Sequence, residues 1–291
     1  TIKQFIQPFN LHIAPLLRIK LLKAADEKHI LLYDMCHIIS DMMSMGILIR
    51  EFVSLYRGES LPELPVQYKD FVAWQNRRGT DILKQEKYWL EQFSGEIPAL
   101  ELPSDYPRSA AIDYTGKPVL FTLGEELALG LKQLAAKRKA TLFMTLLAAY
   151  DLLLSRLTGA TGIIVGTTVT GRRHADLENI IGMFVNTIAL KNKLDSRLTF
   201  TEFLEEVKQN SLKAFENQDY LFEMLLEKLK IPTDLNRNPL VNTLINPQSE
   251  FNMNNFRFEA GGLRFSSYEF PRQNSTLGFD LMIFIHVMKK N

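Results

Sequence analysis

The residues best suited to chemistry stand together in the run Cys36-His37-Ile38-Ile39-Ser40-Asp41. A thiol, an imidazole and a carboxylate offer a nucleophile, a proton acceptor and an orienting acid. Histidine is the side chain that most readily takes up or releases a proton near neutral pH. A Cys36–His37 dyad is disfavoured by geometry, because neighbours on an extended strand point to opposite faces and share no hydrogen bond. A metal centre needs three or four ligands, and His12, His29, His174 and His286 show no ligand spacing, so no metal is expected. Spacing alone also fits a plainer reading: His37 is a core or surface histidine, and Asp41 caps a following helix. No G-x-x-x-x-G-K-[ST], G-x-S-x-G or H-E-x-x-H occurs. Gly159-Ala160-Thr161-Gly162 reads as a turn before a strand, not a nucleotide loop.

A rigid frame must hold such residues in place. Residues 30–35 are a nearly continuous apolar run, the pattern of a strand inside a covered sheet. After the polar break at Ser40-Asp41, the side chains Met45, Leu48, Ile49, Phe52 and Leu55 recur at helical spacing, and Gly58 supplies a stop. His37 therefore falls where a strand gives way to a helix, a common place for functional groups. Downstream, residues 67–76 and 82–93 read as amphipathic helices anchored by Phe71, Trp74, Tyr88, Trp89 and Phe93. Residues 102–118 carry Pro103, Pro107, Gly116 and Pro118 with little periodicity, which predicts a linker. Helices are expected over 125–139, ending on the cations Lys137-Arg138-Lys139, and over 142–157, apolar nearly all round and therefore buried. A further helix is expected over 200–216, with Phe203, Leu204, Val207, Leu212 and Phe215 on or near one face. Strands are expected over 162–168, 185–190, 241–245, 256–259 and 279–287. The alternation predicts an α/β (α+β) protein with an N-terminal lobe over 1–105, a linker over 106–118 and a C-terminal lobe over 119–291.

Composition narrows the function classes. With 46% hydrophobic and 23% charged residues in a chain of 291, a sizeable core forms, and disorder or a coiled coil is excluded. Lys plus Arg number 34 against 33 for Asp plus Glu, so the net charge of +1 lacks the basic surplus of a nucleic-acid binder. The longest strongly apolar stretch, 142–154, contains Asp151 and is too short to span a bilayer, so no membrane association is expected. The single cysteine, Cys36, excludes an internal disulfide framework and agrees with a reducing, cytoplasmic compartment. The start Thr1-Ile2-Lys3-Gln4-Phe5 has neither an initiator Met nor a signal-peptide pattern, and reads like the middle of a domain.

Residues 33–46, Tyr-Asp-Met-Cys-His-Ile-Ile-Ser-Asp-Met-Met-Ser-Met-Gly, resemble the His-His-x-x-x-Asp-Gly region of condensation domains in nonribosomal peptide synthetases. Four further blocks are similar to that family in the same order. They are Asn10-Leu11 with Pro15-Leu16-Leu17-Arg18; residues 165–172 (Val-Gly-Thr-Thr-Val-Thr-Gly-Arg) with 181–187 (Ile-Gly-Met-Phe-Val-Asn-Thr); Arg237-Asn238-Pro239-Leu240 with Gln248; and Phe279-Asp280-Leu281. The resemblance implies two chloramphenicol-acetyltransferase-like lobes in a V, here incomplete at both ends, with a tunnel between them. It implies attack of a carrier-bound acceptor's amine on a carrier-bound donor's thioester. The domain itself then binds no cofactor; phosphopantetheine arms reside on donor and acceptor peptidyl carrier domains, and an adenylation domain lies adjacent.

By the same resemblance His37 is the catalytic histidine, acting as general base or hydrogen-bond partner to the amine. Asp41 is structural and pairs with Arg172 of the second lobe, while Ser44 and Asn186 lie near the tunnel and substrate. Two positions depart from the family pattern. Cys36 stands where the family has its first His, and Met42 where it has a Gly that frees the backbone and admits substrate. These departures keep a non-catalytic carrier-docking or structural role open beside the enzymatic one. An epimerisation-type relative shares the His-x-x-x-Asp arrangement, but the stretch after Asp41 is more similar to the condensation branch; the Arg-Asn-Pro-Leu and Val-Asn-Thr blocks speak against an acyltransferase that uses soluble thioesters.

Overall fold

The structure, a computed structural model, describes residues 2–109, 114–231, 236–247, 257–268, 275–276 and 278–287. In chain order the first elements are α1 (Ile2–Phe5), β1 (Leu17–Ala25), β2 (Lys28–Met35), α2 (Met42–Tyr56), α3 (Tyr68–Asn76) and α4 (Gly79–Gln92). Next come β3 (Thr115–Gly116), α5 (Glu125–Lys137), α6 (Leu142–Thr158), β4 (Gly162–Val169), β5 (Asn186–Lys193), α7 (Phe200–Glu216) and α8 (Phe222–Leu229). The last are β6 (Thr243–Pro247), β7 (Arg257–Ala260), β8 (Leu263–Ser266), β9 (Ser275–Thr276) and β10 (Leu281–Ile285).

These elements form two compact units that do not follow chain order. The first comprises Thr1–Arg78, Thr170–Val185 and Glu250–Pro271; the second comprises Gly79–Val169, Asn186–Ser249 and Arg272–Asn291. The expected lobes at 1–105 and 119–291 differ from this interleaved division. In particular, residues 170–185 connect β4 to β5 of the second unit yet fold within the first.

In the first unit β1 and β2 pair antiparallel, with Ile19 opposite Tyr33 and Leu21 opposite Leu31. All four of these side chains are exposed, whereas Leu22, Ile30 and Leu32 are half-buried. The strand is where the apolar run predicts it, but the described residues give it one partner and no cover on one face. Strand side chains alternate, so an unbroken apolar run must turn half of them each way. The core of this unit is Phe71 of α3 with Leu177, Ile180 and Phe184 from the 170–185 segment, flanked by Val66 and Tyr68. The β7–β8 hairpin turns on Gly261 and Gly262, both at positive φ, as a two-residue hairpin loop requires. Its Phe265 ring meets Phe52 and Tyr56 of α2 edge-on.

The second unit is built on a four-stranded sheet in the order β10-β6-β4-β5, with β10, β6 and β4 parallel and β5 antiparallel to β4. Residues 163–167 of β4 are all buried, as a central strand covered on both faces demands. Helix α7 begins in a capping box, in which Thr199 and Glu202 satisfy each other's backbone N–H groups, and buries Phe203, Leu204 and Val207. Helix α6 is capped by Thr141 at its start and by left-handed Gly159 at its end. It is not buried all round: Leu152, Leu153 and Leu157 are exposed, because only one face meets the sheet and α7. Leu212 of α7 is exposed for the same reason.

The stretch expected to be a linker is bound to this unit where it is described. Arg108 pairs with Asp280, and β3 pairs with β9. Helix α8 and strand β1, which the sequence reading does not separate, are both formed. Gln248 and Phe256 lie outside the described residues. Among the described residues no single helix is long and apolar enough to cross a membrane.

Candidate active site

His37–Ile39 form one 3-10 turn between β2 and α2. Cys36 N–H donates to the Leu16 carbonyl at 3.0 Å, while Ile39 N–H and Ser40 Oγ donate to the Cys36 carbonyl at 3.1 and 3.4 Å. Ser40 N–H donates to the His37 carbonyl at 3.2 Å. The His37 side chain is exposed, and no described residue hydrogen-bonds to its ring. The backbone of this turn therefore sets the point from which the imidazole projects.

Four residues later the chain is held hard. Asp41 caps α2 and is buried. Its Oδ1 accepts from Ser44 N–H and Ser44 Oγ, both at 2.8 Å, and its Oδ2 accepts from Phe184 N–H at 3.2 Å and from Arg172 Nη1. Arg172 Nη2 donates to Ser44 Oγ at 3.1 Å and to the Ile180 carbonyl at 3.0 Å, and its guanidinium lies 4.1 Å from the Phe184 ring centroid. Both charged side chains are out of solvent. Burial works against the Asp41 carboxylate, but the hydrogen bonds from Arg172 and Ser44 and the Arg172 charge outweigh it, holding the carboxyl below its ordinary range. The neighbouring Tyr68 phenol is pushed up, by burial first and then by the Asp41 charge.

The 170–185 segment reaches Asp41 by close approach at two glycines. A Cβ on Gly171, which sits at φ +67°, would lie 2.0 Å from the Phe184 carbonyl oxygen. A Cβ on Gly182 would lie 2.2 Å from Cδ2 of Tyr68. Tyr68 donates its hydroxyl to the Met183 carbonyl at 2.7 Å and meets the Phe184 ring edge-on at 5.0 Å. The bonded N–H groups of Gly182 and Phe184 are thereby presented to Ser44 and Asp41.

The structure thus brings Asp41, Ser44 and Arg172 together, with Cys36 and His37 in the adjoining turn. Met42 is the first residue of α2 and is 51% exposed. Its backbone is helical without positive φ, so this position makes no demand on glycine's conformational freedom. Two expected substrate residues differ from expectation. Ser44 is buried with its hydroxyl committed to protein partners. Asn186 is buried in the second unit, where Nδ2 donates to the Gln218 and Tyr220 carbonyls at 2.8 and 2.9 Å and Oδ1 accepts from Phe222 N–H at 3.1 Å. That amide shapes the turn into α8, and both its N–H bonds are taken. Tyr68, Gly171, Gly182 and Phe184 received no role from the sequence reading. The signal was Gly182 and Phe184 within the quoted Ile-Gly-Met-Phe block, whose spacing does not reveal what they touch.

The family model described as Condensation domain matches residues 1–290. The chain is 48% identical over 284 residues to gramicidin S synthase 2 of Brevibacillus brevis, covering 97% of this chain and 6% of that protein. It is 50% identical over 283 residues to tyrocidine synthase 3 of Brevibacillus parabrevis, covering 97% and 4%. Among solved structures, the complex of the X-domain and OxyB from teicoplanin biosynthesis aligns with a TM-score of 0.83 at 23% identity, over 95% of this chain and 62% of that one. The chain belongs to the condensation-domain family, and its fold is of the chloramphenicol-acetyltransferase type. It spans 6% or less of the length of the two synthetases.

Proposed function

We propose that the chain forms an amide bond between a donor acyl or peptidyl thioester and the amine of an acceptor amino acid, each carried on a phosphopantetheine arm of a peptidyl carrier domain. The observation that carries this reading is an exposed imidazole, His37, without a hydrogen-bond partner among the described residues, on a turn anchored to a buried ion pair. The acceptor nitrogen attacks the thioester carbonyl, the C–N bond forms, and the C–S bond breaks. His37 accepts a hydrogen bond or the proton from the amine, and that proton leaves with the donor arm's thiol. Asp41 and Arg172 hold the turn and do not touch substrate. Cys36 takes its place through its backbone, so a small thiol is accommodated there. An adjacent adenylation domain supplies the activated residues, and the single unpaired cysteine suits a cytoplasmic setting.

The test loads donor and acceptor carrier proteins and follows dipeptide formation. His37→Ala lowers the rate by about 10²–10⁴-fold, the usual contribution of a positioned acid–base group. Equal rates for the variant and the wild type would remove His37 from the chemistry.

A further inference from the structure

Ser44 stands out because its hydroxyl is buried and has four polar neighbours. Asp41 Oδ1 lies at 2.8 Å and the Gly182 carbonyl at 2.9 Å, both acceptors; Gly182 N–H at 3.0 Å and Arg172 Nη2 at 3.1 Å are both donors. A hydroxyl has one proton and two lone pairs, so its donor and acceptor capacity is fully engaged, the proton serving one acceptor at a time. No capacity is left for a substrate. Its four contacts fall on three separate stretches of chain: the residue before α2, Arg172, and Gly182. The imidazole of His37 has no hydrogen bond of its own among the described residues, so the backbone leading to Asp41 sets the point from which it projects.

We infer that Ser44 is a positioning residue for the reaction: its hydroxyl clamps the Asp41 cap to Gly182 and Arg172 and so fixes the turn carrying His37. This rests on the catalytic role given to His37 above. Replacing the hydroxyl by a hydrogen, as in Ser44→Ala, leaves Gly182 N–H and Asp41 Oδ1 each short of one buried partner. The turn loosens, and a misplaced imidazole slows the chemical step without weakening carrier binding.

The experiment measures dipeptide formation with loaded carriers for the wild type, Ser44→Ala, Ser44→Thr, His37→Ala and the double variant His37→Ala with Ser44→Ala. Ser44→Ala lowers kcat by roughly 10–100-fold with KM for the acceptor carrier unchanged. Ser44→Thr, which keeps the hydroxyl, restores most of the rate. In the His37→Ala background the same Ser44→Ala change costs less than about two-fold, because its effect passes through the missing imidazole. Should Ser44→Ala fail to fold, Ser44→Cys, close in size but a weaker hydrogen-bonding group, takes its place in the cycle. Wild-type turnover in Ser44→Ala, a rise confined to KM, or an undiminished loss in the His37→Ala background would each overturn the inference. A His37→Ala rate equal to wild type would instead bring down the catalytic reading beneath it.

Discussion

The Asp41 carboxylate does more than close one helix end: it joins α2, Phe184 and Arg172 at one buried point. A buried pair gains little against an apolar substitute, but losing one member strands the other, at about 3–5 kcal/mol. Arg172→Ala is therefore expected to lower stability by about 3–5 kcal/mol at pH 7 in urea unfolding, and a loss under about 1 kcal/mol would contradict that. The sign with pH follows from the depressed carboxyl. Its contribution is present above the ordinary value of 3.8 and is lost as pH falls through the lower folded value, so the gap between wild type and variant narrows on acidification. Met42 sits in a helical backbone, so Met42→Gly gives up helix propensity and relieves no strain. Thermal unfolding is expected to show at most about 1 kcal/mol of destabilisation, and a gain in stability would reveal strain at this position.

Elements meet in this protein at positions that leave no room for a side chain or for solvent. Gly171 combines a left-handed backbone with an approach to the Phe184 carbonyl that no Cβ tolerates. Gly171→Ala should cost about 1–3 kcal/mol for the forced shift and about 1 kcal/mol more for the backbone angle, read as a lowered urea midpoint. A midpoint matching wild type would mean that the segment moves freely. In the second unit, α6, β5 and α7 are tied by a polar line: Asn192 Nδ2 donates to Asp151 Oδ2 at 2.7 Å, and Asn210 donates to Asn192 Oδ1 at 3.0 Å. Asp151 is fully buried and its Oδ1 has no hydrogen-bond partner among the described residues. Burial pushes its carboxyl well above the ordinary range, against the pull of the Asn192 hydrogen bond. A raised acid holds its proton better in the fold, so its support is complete below about 3.8 and is lost as pH rises toward the folded value. Melting between pH 4 and pH 8 is expected to fall for the wild type relative to Asp151→Asn, which carries no titrating proton. Parallel curves would rule this out.

At the scale of the whole molecule, neither compact unit is a continuous piece of sequence. The 170–185 segment owes its core contacts to Tyr68 and Phe71 and its polar contacts to Asp41 and Ser44, all from the first 78 residues. Removing residues 1–78 should therefore expose the Gly182 and Phe184 amides, which are bonded in the intact chain. Hydrogen exchange of those two amides is the measure: protection retained in the shortened chain would mean that the segment is ordered by itself.

Periodicity and capping chemistry are local, which is why most elements could be read from the residues alone. The helix after Asp41, its stop at Gly58, and the helix over 200–216 follow from apolar spacing and end signals. The family could be read as well, because its motifs keep their order along the chain. Three-dimensional proximity decided the rest. Nothing in the spacing tells that residues 170–185 leave the sheet they connect to join Asp41, that Ser44 is enclosed while His37 is open, or that Leu152 and Leu31 face outward. Those outcomes depend on which surfaces meet, and a surface is assembled from residues far apart in sequence. A pattern of neighbours along the chain fixes each element's shape and apolar stripe; the partner that covers the stripe is chosen only when the whole chain packs.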